Sequence, residues 1–212
     1  MKLNSTCTIN PRQRSLRTKR KELIIAATIQ DRKVLNFLIR FSIMNKVRLL
    51  FGAPAIEDKA QLILAIRNLQ KRCGCVIQAL DADKVVSETH LRFAAEKAMA
   101  AFSQGRNVAN DPGLEILRYA SGERQINGAL AMGLADSTER IALILTTLDK
   151  SGILPDDSEL SEIVEQDGKG CAFRLEAVKK NFCISPEEID AVGEAKIPDL
   201  VLERVALVDT YR

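Results

Sequence analysis

The residues best suited to recognise a ligand are Tyr119-Ala120-Ser121-Gly122-Glu123-Arg124-Gln125-Ile126. They fall where one helix stops and another starts. Gly122 can take the positive-φ conformation that ends a helix, and the next helix then opens with unpaired backbone N–H groups. Arg124 and Gln125 project from that first turn. Free amides beside a guanidinium and a carboxamide suit a phosphate, a sugar or a base edge. The structural alternative has Ser121 capping the helix and Arg124 pairing with Glu123 or Glu115 on the surface.

No other residues in the sequence make a reaction centre. The single histidine, His90, falls early in an Ala-rich helix and reads as a packing or capping residue. The five cysteines (Cys7, Cys73, Cys75, Cys171 and Cys183) are odd in number and irregular in spacing. Only Cys73 and Cys75 are close, and no further Cys/His pair completes a zinc site. They read as reduced cytosolic thiols. Neither a P-loop nor a dinucleotide-binding glycine pattern is present. Asp156, Asp157, Glu159, Glu162 and Glu165 read as caps and a solvated helix face. The expectation is a chain with no catalytic residues, no cofactor and no metal.

The elements that must hold the Ser121–Gln125 junction follow from apolar spacing. Val47–Phe51 reads as a strand. Glu57 to Arg72 reads as a helix with Leu62, Ile66, Leu69 and Cys73 on one face, stopped by Gly74. Cys75 to Leu80 is a second strand, ending at Asp81. This strand–helix–strand order favours parallel pairing of the two strands. A helix from about Ser87 to Ser103 carries Leu91, Ala94, Ala95, Ala98, Ala101 and Phe102 as its stripe. Asp111-Pro112 is an N-cap followed by proline at the first helical position, and this helix runs to about Ala120. The helix after the junction is expected to begin near Glu123, bury Ile126, Ala129 and Leu130, and stop at Gly133. Ile141 to Leu148 is an apolar third strand, central or well covered. Helices follow after Asp156, from Cys171 to Phe182, at the capping box Ser185-Pro186-Glu187-Glu188, and from Pro198 to about Asp209. The fold class is α/β: a small, helix-rich domain around a short sheet of about three strands, with a helical C-terminal region.

Charge divides the chain. Residues 1–43 hold ten Lys/Arg and two Asp/Glu, whereas residues 44–212 hold 21 and 26. The overall +3 therefore hides a basic extension and an acidic body, and no nucleic-acid argument can rest on the total. Three readings of residues 1–43 stand: a translation start at Met44, a disordered basic tail that helps to hold RNA, or a helix docked on the body. Residues 44–212 are expected to form a single domain. The seven-residue apolar run Leu23–Ile29 is too short to cross a bilayer, and a cytoplasmic location is expected.

Several runs resemble one family. Ile77-Gln78-Ala79-Leu80-Asp81-Ala82-Asp83, then His90-Leu91 with Ala94, Ala98 and Phe102, then Gly105 and Asn107, are similar to the small non-catalytic subunit of the KEOPS complex, the PRPK-binding protein family. Glu115 through Ile126, followed by Ala129-Leu130 and Met132-Gly133, looks like the archaeal form of its motif. Leu202 through Asp209 resembles that form's last helix. The likeness covers about residues 46 to 148 and the final helix; residues 149–197 match only in general pattern, and residues 1–43 do not match.

The resemblance implies a small α/β fold without catalysis. It also implies binding to the kinase/ATPase subunit of KEOPS, beside the subunit that transfers threonylcarbamoyl to tRNA, and a part in holding the tRNA 3′ end. Ser121, Gly122, Arg124 and Gln125 are the candidates for that contact, with Arg106, Asn107 and Arg118 secondary. The candidate kinase contact is the apolar arc of the last helix (Val201, Val205 and Val208), with Ile189 and Val192 before it; the alternative is plain core packing. The acidic body implies few phosphate contacts. From a different class come a stand-alone RNA-binding protein using the basic tail, and a small-molecule enzyme.

Overall fold

A computed structural model describes residues 47–148 and 152–209. The basic extension, and with it every reading of residues 1–43, lies outside the described residues. The chain runs β1 (Arg48–Pro54), α1 (Lys59–Cys73), β2 (Val76–Asp81), α2 (Glu88–Ser103), α3 (Pro112–Ala120), α4 (Ile126–Ala129), β3 (Ile141–Thr146), α5 (Asp157–Ser161), β4 (Val164–Gln166), α6 (Leu175–Phe182), α7 (Pro186–Val192) and α8 (Ile197–Leu207). The α/β class and helical C-terminal region are as the sequence predicts.

The described sheet has four strands in the order β2-β3-β1-β4, not three. All its pairs are antiparallel. The expected parallel pairing of β1 and β2 is therefore wrong. Both run antiparallel to β3 and so point the same way, but β3 lies between them. The physical reason is in β3 itself: all six of its residues are buried, so it needs cover on both faces and both edges. The extra strand, β4, has only three residues and no readable alternation, and it pairs with Gly52–Pro54 of β1. Gly52 makes that pairing possible, because a Cβ there would stand 2.0 Å from the Glu165 carbonyl oxygen.

Alternation along the strands gives the sheet two apolar faces. Ile141, Leu143 and Leu145 join Leu50, Ile77 and Ala79 under α1, which contributes Leu62, Ile66 and Leu69. Burying each of these Leu and Ile side chains stabilises the fold by about 1.5–3 kcal/mol. Helices α2 and α3 pack together and touch β3 and β2. Their approach is close because the α2 stripe is Ala94, Ala95, Ala98 and Ala101, all fully buried. Helix α8 lies on α2.

Candidate functional site

Helix α3 presents the turn that follows it. Asp111 caps its start by accepting the Leu114 amide at 2.9 Å, and Pro112 opens it. Its end is closed by a run of backbone bonds: Ser121 N to Leu117 O at 2.9 Å, Gly122 N to Tyr119 O at 3.0 Å, and Glu123 N to Arg118 O at 3.2 Å. The reversal needs Gly122 at φ 71°, where a side chain would be strained. Ser121 is buried; its hydroxyl donates to the Arg118 carbonyl at 2.9 Å and accepts from the Glu123 amide at 3.3 Å. The capping reading of Ser121 therefore holds.

Two neighbours clamp this turn. From α2, His90 places Nε2 2.7 Å from the Ala120 carbonyl oxygen. With the ring neutral, Nε2–H donates to that carbonyl. Burial lowers the His90 pKa to about 4, which keeps the ring uncharged at neutral pH. From α8, Arg204 backs the turn so closely that a Cβ on Gly122 would lie 3.1 Å from the Arg204 Cβ. Arg204 is itself held by Glu188, with contacts of 2.9 and 3.1 Å.

The structure corrects the expected helix start. Helix α4 begins at Ile126 and has four residues, and its N-cap, Gln125, makes no side-chain cap. Glu123, Arg124 and Gln125 form an exposed turn before it, so side chains rather than a row of free amides face solvent. Ala129 is buried as expected. Leu130 is not, at 53% exposed, because the chain passes into a 3-10 turn over Leu130–Met132 that buries Met132 instead.

Arg118 cannot face a ligand from where it lies. Only 2% of it is exposed, and it pairs with the fully buried Glu115 at 2.6 Å. Of the two surface partners expected for Arg124, Glu123 and Glu115, Glu115 is instead buried and paired with Arg118. The other Glu115 oxygen accepts the Val108 and Ala109 amides at 3.2 and 2.8 Å. This carboxylate therefore fixes the loop that carries Arg106 and Asn107. Both of those are half-buried, and Asn107 donates to the Ala109 carbonyl at 2.9 Å. Arg118 also lies over the Tyr119 ring, 4.4 Å from its centroid. The Tyr119 hydroxyl donates to Asp209 at 2.5 Å, and Arg106 stands 3.8 Å from the same carboxylate. Burial, with that bond, pushes the Tyr119 pKa up to about 12, so the hydroxyl keeps its proton. From the sequence, Glu115 reads only as a surface partner, and Tyr119 and Asp209 have no role of their own. The one available signal was an acidic and a basic residue three apart on a strongly apolar helix.

The kinase-contact candidates divide. Val201 and Val205 are fully buried and Val208 nearly so; they are core, packed inward with α8. Val192 is 41% exposed and Ile189 half-buried on α7. Helix α8 presents a different apolar line to solvent, Leu202 and Ala206, which forms an open groove with Phe93 of α2. Arg92, Glu96 and Glu203 edge this groove.

Two of the described thiols are poor nucleophiles. Burial pushes both Cys75 and Cys171 up to about 11. Among the described residues, no three His, Cys, Asp or Glu side chains gather as a metal site requires, and no helix is long and apolar enough to cross a membrane.

No curated protein matches the chain by sequence. A family model described as kinase binding protein CGI-121 matches residues 55–209, a span that takes in α1 through α8, the clamped turn and the groove. The chain belongs to the kinase-binding protein CGI-121 family, the KEOPS small-subunit family that its motifs resemble.

Proposed function

We propose that this chain is the non-catalytic subunit of a cytoplasmic KEOPS complex, supporting threonylcarbamoyladenosine modification of tRNA. It binds the kinase/ATPase subunit through the groove between α2 and α8. The observation that carries this reading is the solvent-facing line of Phe93, Leu202 and Ala206 in a family described as kinase-binding. An apolar centre edged by Arg92, Glu96 and Glu203 has the make-up of a protein interface. A charge placed in that centre is left unpaired on docking. Leu202→Asp is therefore expected to weaken the kinase by at least about 30-fold, measured by titration or by co-purification from the source cell. Leu202 is only half-buried, so circular dichroism should be unchanged. Loss of binding from Val192→Asp, with Leu202→Asp without effect, would move the contact to α7.

A second reading concerns tRNA. Its support is the exposed turn Glu123–Gln125, which follows directly on Ala120, bonded by His90, and Gly122, backed by Arg204, with Arg106 and Asn107 on the loop that Glu115 fixes. A preorganised guanidinium and carboxamide lose little freedom on gripping an RNA end. Ser121 and Gly122 shape the turn, and Arg118 supports it from below. The double change Arg124→Ala/Gln125→Ala is expected to weaken tRNA by about tenfold, or roughly 1.4 kcal/mol. Removal of the terminal CCA should abolish binding. Unchanged affinity in the double variant would sink the site assignment. The salt dependence of residues 44–212 should correspond to about two to four phosphates; a steep slope retained only by the full chain would favour the basic extension as the RNA-binding part.

A further inference from the structure

Asp209 follows the end of α8, yet its carboxylate stands between α3 and the loop after α2. One oxygen accepts the Tyr119 hydroxyl and the other lies 3.8 Å from Arg106. Tyr119 is fully buried, and its hydroxyl is turned to Asp209. Arg118 lies over the same ring, with a buried Nε that has no partner. Asp209 thus faces a phenolic donor, Tyr119, and a guanidinium, Arg106. That is a donor set for an anion, and its present occupant is the chain's own carboxylate.

We propose that Asp209 is an internal occupant of an anion subsite, standing where a phosphate of a bound RNA strand would sit, and that RNA must displace it. This rests on the tRNA reading above. The carboxylate offsets the charge of Arg106 and so lowers the affinity of the empty-handed site. Moving it disturbs little else, because α8 has ended at Leu207 and Val208 is the buried residue that anchors its end.

The test is tRNA affinity of the full chain with and without Asp209→Asn. The amide oxygen can still accept from Tyr119, but the charge is gone. Binding should tighten about five- to tenfold, and the salt slope should steepen by about one phosphate. Asp209→Ser should show the same gain, which guards against a folding defect peculiar to the amide. Arg106→Ala should weaken the wild type and also erase the gain in Asp209→Asn, since the two residues are coupled. If the gain survives Arg106→Ala, it is a general field effect and the proposal is overturned. Wild-type or weaker binding by both Asp209 variants overturns it too, while leaving the tRNA reading intact. A wild-type chain that binds no tRNA overturns both.

Discussion

Glu115→Ala is expected to lower the stability of the domain by about 3–5 kcal/mol, the cost of leaving a buried charge unpaired. Glu115 is fully buried, Arg118 beside it is 2% exposed, and the two are 2.6 Å apart. The substitution strands the guanidinium and also removes the acceptor for the Val108 and Ala109 amides. For a domain of this size the melting temperature should fall by roughly 10 °C. Thermal or urea denaturation reads the effect directly. The double change Glu115→Leu/Arg118→Met removes both charges together and should be much milder than Glu115→Ala alone. A loss below about 1 kcal/mol for the single variant would mean that water reaches the pair. Because Glu115 fixes the loop of Arg106 and Asn107, tRNA affinity should fall in the same variant at temperatures where it is still folded.

Stability should also fall as pH drops from about 6.5 to 4. His90 is fully buried, and burial lowers its pKa from 6.5 to about 4. Between those values the unfolded chain binds a proton that the folded chain does not, so stability rises with pH across the window and levels off above it. The full effect is about 3 kcal/mol at 1.36 kcal/mol per pH unit of difference. It is largest at the acid end. His90→Gln keeps a donor for the Ala120 carbonyl and removes the titration, so its stability should be nearly flat over the window. Asp167 acts in a lower range. The Arg140 hydrogen bond holds its carboxyl below the usual value, so its contribution is present above about 4 and is lost only as pH falls further. A wild-type curve as flat as that of His90→Gln would overturn the account of His90 as a neutral clamp. Protonation would add a charge at Nδ1 but leave the Nε2–H bond to Ala120 in place, so the acid loss is one of global stability and not of the clamp on the turn after α3.

Much of the fold is legible because the signals are local. Ser185 and Glu188 cap α7 reciprocally at 3.2 and 2.9 Å, as their spacing predicts. Asp111-Pro112 opens α3, and Gly122 ends its last turn with a positive φ. The five apolar residues of β3, Ile141 to Leu145, place it within the sheet. The alanine stripe of α2 lets α3 come close. Each of these depends on a few neighbouring residues or on composition alone.

The site was legible only in outline. The turn from Ser121 to Gln125 is where the glycine predicts it, but α4 is too short to offer a helix start. Arg118, Val201, Val205 and Val208 looked available and are buried, since an apolar arc in a sequence does not say which side meets the core. Leu202 and Ala206 of the same helix are half-buried and line the groove, and Leu207 is exposed.

By itself, the sequence determined the capped helix starts at Pro112 and Pro186, which strand is apolar on both faces, and that a glycine turn carries an exposed arginine and glutamine. Those outcomes follow from backbone conformation and hydrogen bonding within a few residues. Tertiary structure alone decided that β3 separates β1 from β2, that Glu115 neutralises Arg118, and that Asp209 reaches Tyr119 from 90 residues away. Such choices depend on which buried surfaces and charges meet once distant elements pack, and no local pattern encodes that meeting.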